Sequence, residues 1–281
     1  MSDAILFTVD EGMARLTLNR PARLNAFNAD LAHAWRDATA EAVSRDDVGA
    51  ILLDAAGPAF CAGGDVIDMA STMGSGDDIT ALARVINEGI TSLTTSAKPV
   101  VAAAHGTTAG GGLGILLCSD YAVVGAHSKL GSLYANIGLT PDLSVSAQLA
   151  RAVGQRRALQ LVLQDRMLSA QEAQEWGLVA EVVGPSTGSG TQEGAVSGAQ
   201  GGAAAEADAV RARAEEIARF WLAGATAAYG QAKQLVRSQP ERPFAEQLEA
   251  EAVSIGAAFD TDDAKALVHR FAAASAARVA G

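Results

Sequence analysis

Two glycine-rich turns constrain this chain more than any other feature of its sequence. The first spans residues 59–65 and reads Ala-Phe-Cys-Ala-Gly-Gly-Asp, and the second spans residues 109–114 and reads Ala-Gly-Gly-Gly-Leu-Gly. Each follows a short apolar run and leads into a helix-like run. Glycine lets the backbone approach a ligand closely, and a helix start leaves N–H groups unpaired. Side by side, the turns could aim two N–H donors at one oxygen, which favours chemistry through an enolate or a tetrahedral oxyanion.

Common glycine motifs do not account for these turns. No G-x-x-x-x-G-K-[ST] segment occurs, so a P-loop is excluded, and the spacing around Gly110 does not give the dinucleotide fingerprint G-x-G-x-x-G. Residues 184–188 do match the nucleophile-elbow pattern G-x-S-x-G. Because that match opens a stretch poor in apolar residues instead of a strand, a turn and a helix, we interpret it as chance.

Composition and charge narrow the class of protein. With 281 residues, 49% of them hydrophobic, the chain can bury a large core as one main domain. A net charge of −11 argues against a nucleic-acid partner. No run approaches the roughly 20 apolar residues of a membrane span, and the first residues lack a charged region followed by an apolar one. We therefore expect a cytoplasmic protein without membrane contact.

Cysteine and histidine are too sparse to predict a metal site or a disulfide framework. Cys61 and Cys118 are isolated from each other and from other candidate ligands. No histidine lies two to five residues from another, the four being His33, His105, His127 and His269. We therefore expect no bound metal.

The first half of the chain alternates strands with helices. Strand-like runs at 5–9 and 15–18 flank Asp10-Glu11-Gly12, which is typical of a hairpin. Further strands are expected at 50–53, 100–104 and 121–124, and helices at 29–43, 78–95 and 111–118. This order predicts an α/β domain with a largely parallel, buried sheet, whose ligands bind where strands give way to helices.

The second half is mainly helical. Ser169-Ala170-Gln171-Glu172 forms a capping box for a helix that ends at Trp176-Gly177. Residues 184–206 are mostly Gly, Ser, Ala, Gln and Thr, which predicts a flexible surface insertion. Amphipathic helices follow at 206–222, 226–237, 243–258 and 261–275. The expected organisation is therefore a core at 1–183, an insertion at 184–206 and a helical region at 207–281.

Ordered blocks of sequence connect the chain with one known family. They are residues 18–21 with 25–26, then 60–65, 98–100, 110–113, 118–120, 137–142 and 175–179. On these blocks the chain resembles the enoyl-CoA hydratase/isomerase (crotonase) family over nearly its whole length. The resemblance implies a ββα spiral core and a C-terminal helical region that assembles trimers or hexamers.

The resemblance also implies a ligand, an acyl-CoA thioester, with coenzyme A as part of the substrate and no tightly bound cofactor. Its carbonyl would accept hydrogen bonds from the backbone N–H groups of Gly64 and Gly111, where the argument from the two turns also leads. For these glycines, the alternative from the residues alone is a tight packing turn. Coenzyme A contacts are implied at Arg23, Ala62 and Asp65, although Arg23 alone is equally well explained as a solvated side chain.

The type of reaction depends on the side chains that face the acyl group of the substrate in this family. Hydratases of the family use two glutamates, and the matching positions here hold Gly114 and Tyr134, so hydration by the usual pair is not expected. Asp142 stands where some enoyl-CoA isomerases of the family carry their base and the aryl-CoA dehalogenases carry their nucleophile. A second, compatible interpretation of Thr140-Pro141-Asp142 is a helix start, with Thr as N-cap and Pro at the first position.

The environment of Asp142 is left open by the sequence. A helix start would lower its pKa, whereas enclosure by apolar neighbours would raise it. Tyr134 either donates a hydrogen bond, shapes the acyl pocket or belongs to the core, and Asn87 is given a surface role.

The resulting expectation is an isomerase that shifts a carbon–carbon double bond through a thioester enolate, with Asp142 as its base. The alternatives are an enoyl-CoA hydratase and a family member that binds acyl-CoA without turnover. The apolar side chains of the C-terminal helices predict assembly as a homotrimer or a dimer of trimers.

Overall fold

The computed structural model describes residues 3–184 and 198–279. The chain opens with strands β1 (Ile5–Asp10) and β2 (Met13–Leu18), which pair antiparallel. Glu11 and Gly12 form the connection with φ values of 46° and 84°, both in the left-handed region that two-residue hairpin turns require. The predicted hairpin is confirmed.

A six-stranded sheet forms the centre of the molecule. Its order is β1-β2-β3-β4-β6-β9, and it is parallel from β2 onward, with β3 at Ala50–Ala55, β4 at Val100–Ala104, β6 at Tyr121–Gly125 and β9 at Glu181–Val183. A second sheet contains β5 (Thr107–Ala109), β7 (Lys129–Gly131) and β8 (Met167–Ser169). Every residue of β3 and β4 is buried, because both faces of the main sheet are covered.

Helices pack against both sheets. In chain order they are α1 (Ala29–Ser44), α2 (Val66–Thr72), α3 (Gly76–Thr95), α4 (Gly111–Leu117), α5 (Val145–Val153), α6 (Gln155–Gln164) and α7 (Ala170–Glu175). The predicted capping box is present in α7, where Ser169 and Glu172 bond each other's backbone N–H. Gly177 follows with φ 80° and ends the helix as predicted.

The C-terminal region consists of α8 (Gly198–Ala223), α9 (Thr226–Ser238), α10 (Phe244–Phe259) and α11 (Asp262–Val279). Helix α8 packs on the second face of the main sheet through Val210, Ala214, Ile217 and Ala218. Large apolar side chains of the later helices stay exposed, among them Phe244, Ile255 and Phe271. No helix in the described ranges is long and apolar enough to cross a membrane.

The prediction of a flexible insertion over 184–206 is wrong at its C-terminal end. Helix α8 already begins at Gly198, and Glu206 is only 4% exposed and accepts a hydrogen bond from the His127 N–H at 3.2 Å. Alanine-rich sequence favours a helix, and packing on the sheet stabilises it. The expected boundary between 206 and 207 therefore falls inside a helix, and residues 185–197 lie outside the described residues.

Candidate active site

The two glycine-rich turns lie against each other. Cys61 and Thr108 form a parallel bridge, and the N–H of Ala109 donates to the Cys61 carbonyl at 2.9 Å. Gly63 has φ +105°, and a Cβ atom there would lie 3.3 Å from the backbone nitrogen of Gly111. Only glycine permits this approach. The side-by-side arrangement that the argument from the sequence required is therefore present.

Two backbone donors are left over at this junction. Asp65 donates its N–H to the Phe27 carbonyl at 2.8 Å, but the N–H groups of Gly64 and Gly111 have no hydrogen bond to any described residue. Gly111 is the first residue of α4, where a helix leaves its N–H unpaired. Both glycines line the same cavity. Two unused donors at one cavity suit an oxygen that develops negative charge.

The cavity has a volume of about 550 Å³ and lies between α2, α3, the two turns and the segment 133–143. Its wall is mainly apolar, with Phe27, Met69, Met73, Ile79, Leu82, Ile86, Ile137, Leu139 and Leu143. Such a wall excludes water and strengthens the electrostatic interactions inside it. Among the described lining residues, Asp142 is the one carboxylate.

Asp142 does not begin a helix, so the predicted helix start at Thr140-Pro141-Asp142 is wrong. Helix α5 begins at Val145. Between them, Leu143 and Ser144 have φ values of 46° and 68°, which breaks any helical path from Asp142 to Val145. The helix dipole therefore does not act on Asp142 from the position that the sequence suggested.

Burial decides the ionisation of Asp142. Removal from water raises its pKa, and this outweighs the opposing effect of a hydrogen bond that Tyr134 donates to Asp142 Oδ1 at 2.6 Å. Burial also raises the pKa of Tyr134, which is 9% exposed, so its hydroxyl stays a neutral donor. Of the roles left open for Tyr134, the structure places it as a hydrogen-bond donor on the cavity wall.

The backbone around this pair is strained. Leu133, Leu143 and Ser144 all have positive φ, at 53°, 46° and 68°. A non-glycine residue pays roughly 1 kcal/mol or more for such a conformation, and strained residues cluster at active sites. These three flank Tyr134 and Asp142, which the irregular backbone brings together.

The hydrogen-bonded pair of Tyr134 and Asp142 packs closely against Gly111, whose N–H is unused. A Cβ atom on Gly111 would lie 2.6 Å from Leu143 Cδ1 and 3.8 Å from Tyr134 Oη. The Tyr134 hydroxyl in turn contacts Asp142. One base and one backbone donor thus face the same small volume, which suits removal of a proton next to a carbonyl group.

No side chain can stand at residue 114. A Cβ atom on Gly114 would lie 1.9 Å from the carbonyl oxygen of Leu143, a distance that atoms do not reach. The segment that carries Asp142 occupies this space. A carboxylate at position 114 is therefore incompatible with the present position of Asp142.

The expected coenzyme A contacts lie in different settings. Ala62 lines the cavity, whereas Arg23 and Asp65 do not. Arg23 makes two hydrogen bonds to Asp65, at 3.1 and 2.5 Å, and Arg20 makes a third at 3.1 Å. Asp65 is 4% exposed and also accepts the Asp68 N–H as N-cap of α2. These partners lower the pKa of Asp65 to about 2. As coenzyme A contacts, the three residues stay a prediction.

Sequence reasoning missed part of the cavity wall. Asn87, given a surface role above, is exposed but lines the cavity, as do Thr80 and Arg84. Their spacing of i, i+4 and i+7 on α3 places them on one helix face, which is the signal that could have found them. Asn136 lines the cavity from the opposite segment.

Comparison with known proteins identifies the same family that the sequence blocks resemble. The sequence pattern of the family described as "Enoyl-CoA hydratase/isomerase" matches residues 8–188. The 1,2-epoxyphenylacetyl-CoA isomerase of Escherichia coli K12 is 36% identical over 190 residues, covering 66% of this chain and 72% of the relative. The trans-2-decenoyl-[acyl-carrier-protein] isomerase of Streptococcus mutans is 34% identical over 184 residues, covering 64% and 70%.

A solved structure extends the similarity to the C-terminal helices. The enoyl-CoA hydratase of Mycobacterium smegmatis superposes with a TM-score of 0.80 at 25% identity, covering 95% of each chain. The expected fold, a crotonase-like α/β core followed by a helical region, is confirmed by this match.

Proposed function

The chain belongs to the enoyl-CoA hydratase/isomerase family, and from this premise we propose that it is an enoyl-CoA isomerase. It moves the double bond of an acyl-CoA thioester between the β,γ and α,β positions. The observation that carries the proposal is half-buried Asp142, the one carboxylate among the described residues that line the cavity, beside the unused N–H groups of Gly64 and Gly111. Two relatives that are named isomerases support an isomerase over a hydratase.

The reaction needs one base and one oxyanion site. Asp142 takes a proton from the α-carbon, and the C–H electron pair moves into a dienolate whose negative charge rests on the thioester oxygen. The N–H groups of Gly64 and Gly111 donate to that oxygen, each contributing about 3 kcal/mol to stabilisation of the transition state. The protonated Asp142 then returns the proton at the γ-carbon, which completes the shift.

The raised pKa of Asp142 makes it a stronger base than an exposed carboxylate. Tyr134 keeps the carboxylate in place through its hydrogen bond and, as a neutral donor, adds no competing charge.

Hydration is the less favoured reaction because it requires a second acid–base group. The two positions of the hydratase glutamates hold Gly114 and Tyr134, and the space beyond Gly114 is filled by the Leu143 carbonyl. The similarity to an enoyl-CoA hydratase structure motivates a direct test of this activity.

Incubation of the protein with a 3-enoyl-CoA will yield the 2-enoyl-CoA. The absorbance of the conjugated thioester measures this conversion. Replacement Asp142→Asn will lower kcat by about 10²- to 10⁴-fold, the usual contribution of a positioned acid–base group. The variant will not be less stable at pH 7. A carboxyl group whose pKa is raised in the folded state stabilises the fold below its unfolded pKa and loses this contribution as the pH rises. At pH 7 the ionised, partly buried carboxylate lowers the free energy of unfolding, and its replacement by an uncharged amide removes this cost.

Asp46→Asn, at an exposed position in the loop after α1, is the matched control and will keep full activity. No conversion by the unaltered protein, or unchanged activity in Asp142→Asn, would overturn the proposal. Loss of absorbance from a 2-enoyl-CoA would show a hydratase instead. Tight thioester binding without any turnover would show a binding protein on this scaffold.

We further propose that the protein assembles as a homotrimer or a dimer of trimers through its C-terminal helices. The support is the exposure of large apolar side chains on α10 and α11, including Phe244, Ile255 and Phe271.

A further inference from the structure

A polar stripe interrupts the apolar wall of the cavity. Thr80, Arg84 and Asn87 follow one another at i, i+4 and i+7 on α3, so they lie on one face of the helix. All three line the cavity together with apolar neighbours from the same helix. A hydrocarbon chain bound there would therefore meet one charged and two polar side chains.

Two members of this stripe lack a partner. Arg84 makes no hydrogen bond or ion pair with any described residue, and Glu88, one turn further along α3, does not pair with it. Asn87 likewise has no hydrogen bond within the described ranges. Thr80 is satisfied, since its hydroxyl donates to the Gly76 carbonyl at 2.9 Å. Arg84 and Asn87 thus keep their donors available to a ligand.

The energetics favour a ligand that carries a negative charge. Arg84 is exposed at the rim of the cavity lining. An acyl group that fills the cavity displaces part of the water around the Arg84 guanidinium, and the loss of this water without a new partner costs free energy. A hydrocarbon offers no compensation. A carboxylate matches the guanidinium with two parallel N–H···O bonds, and the Asn87 amide supplies further donors. The apolar neighbours Leu82 and Ile86 suit the methylene groups between the two ends of such a molecule.

We propose that the substrate is an acyl-CoA whose acyl group ends in a carboxylate, bound by Arg84 with Asn87 at the α3 wall. The proposal rests on the proposed function for the placement of the thioester at Gly64 and Gly111. It assigns a substrate class, the dicarboxylic acyl-CoA thioesters, in preference to unsubstituted fatty acyl-CoA.

Binding without turnover tests the proposal. Saturated acyl-CoA thioesters have no double bond to move, so calorimetric titration can compare pairs of equal chain length with and without a terminal carboxylate. Over a series of lengths, at least one carboxylate-bearing thioester will bind about tenfold more tightly than its neutral partner, as expected for a charge-assisted pair. Arg84→Gln will remove this preference by weakening the carboxylate-bearing thioester without weakening the neutral one, whereas Arg84→Lys will retain part of the preference.

Arg156→Gln is the matched control, because Arg156 is an exposed arginine on α6 outside the cavity lining. It will leave both affinities unchanged. Equal affinity of the unaltered protein for both thioesters at every length would overturn the proposal. An equal loss for both in Arg84→Gln would assign Arg84 to the coenzyme A half and would also overturn it. Because no catalysis is measured, failure of the isomerase assay is distinguishable from either result.

Discussion

At the scale of single residues, the chemistry of the site depends on one hydrogen-bonded pair. Tyr134 is a buried, neutral donor held 2.6 Å from the carboxylate of Asp142, which is itself half-buried. Burial and the hydrogen bond act in opposite directions on the pKa of Asp142, and burial prevails. The hydroxyl of Tyr134 therefore limits how far that pKa rises.

Replacement Tyr134→Phe tests this relationship. Loss of the hydrogen bond raises the pKa of Asp142 further, so the basic form is populated only at higher pH. We expect the acid limb of the pH dependence of kcat/KM to move upward, with a roughly tenfold loss of kcat/KM on the acid side, the order of one charged hydrogen bond.

The control for this change is Tyr121→Phe. Tyr121 donates to Glu181 at 3.3 Å and does not line the cavity, so its pH profile will match that of the unaltered protein. An acid limb that stays in place in Tyr134→Phe, or that moves downward, would contradict the assigned role.

At the scale of elements, the short helix α2 depends on a cluster at its N-terminus. Asp65 caps α2 and holds both Arg20 and Arg23, which come from the segment after β2. Helices of seven residues are not stable on their own, so tertiary contacts determine whether α2 forms. Met69 of α2 lines the cavity, which connects this cluster to the acyl site.

Removal of the Asp65 carboxylate will therefore weaken α2 and the cavity together. We expect Asp65→Ala to lower the free energy of unfolding by about 2–4 kcal/mol at pH 7, from the lost N-cap and charge-assisted bonds. Because the folded pKa of Asp65 is about 2, below its unfolded value near 4, its stabilisation is complete above pH 4 and disappears as the pH falls toward 2. Urea unfolding at several pH values measures this difference.

Asp37→Ala provides the comparison, because Asp37 forms an exposed ion pair with its neighbour Arg36 and contributes little. Its stability will stay within about 0.5 kcal/mol of the unaltered protein. A stability difference for Asp65→Ala that persists unchanged at pH 2 would rule out the carboxylate as its source.

At the scale of the whole molecule, the C-terminal helices leave apolar surface that no other described part of the chain covers. Phe244 and Phe271 are each 77% exposed and Ile255 is 73% exposed. Helix α8 differs from them, since it buries its apolar face on the main sheet. An apolar surface of this kind is typical of an interface between subunits, and closed symmetric assemblies are its usual outcome.

Light scattering will give a mass near three or six times 28.6 kDa. Ile255→Glu will shift the mass toward that of one chain, because burying a carboxylate at an apolar interface is unfavourable. Leu6→Glu, which changes an exposed apolar side chain on β1, will leave the mass unchanged. A fully active monomer at micromolar concentration would refute the assembly proposal.

Local interactions made part of this structure predictable. The β1–β2 hairpin and the capping box of α7 depend on residues only a few positions apart, so their sequence patterns carry most of the information. Each glycine-rich turn was also recognisable from its own residues, because a position with positive φ and close backbone contacts, such as Gly63, requires glycine. That the two turns lie against each other is a tertiary contact between segments about 45 residues apart.

Tertiary structure alone decided the environment of the reactive groups. Asp142 has the sequence of a helix start, yet left-handed backbone at Leu143 and Ser144 separates it from α5, and its raised pKa comes from burial. Arg84 is an ordinary surface arginine in the sequence and becomes part of the cavity wall only in the folded chain. The burial of a side chain, its hydrogen-bond partners and the donors that it keeps free all depend on segments far apart in sequence. Local propensity carries no information about which of these segments come into contact.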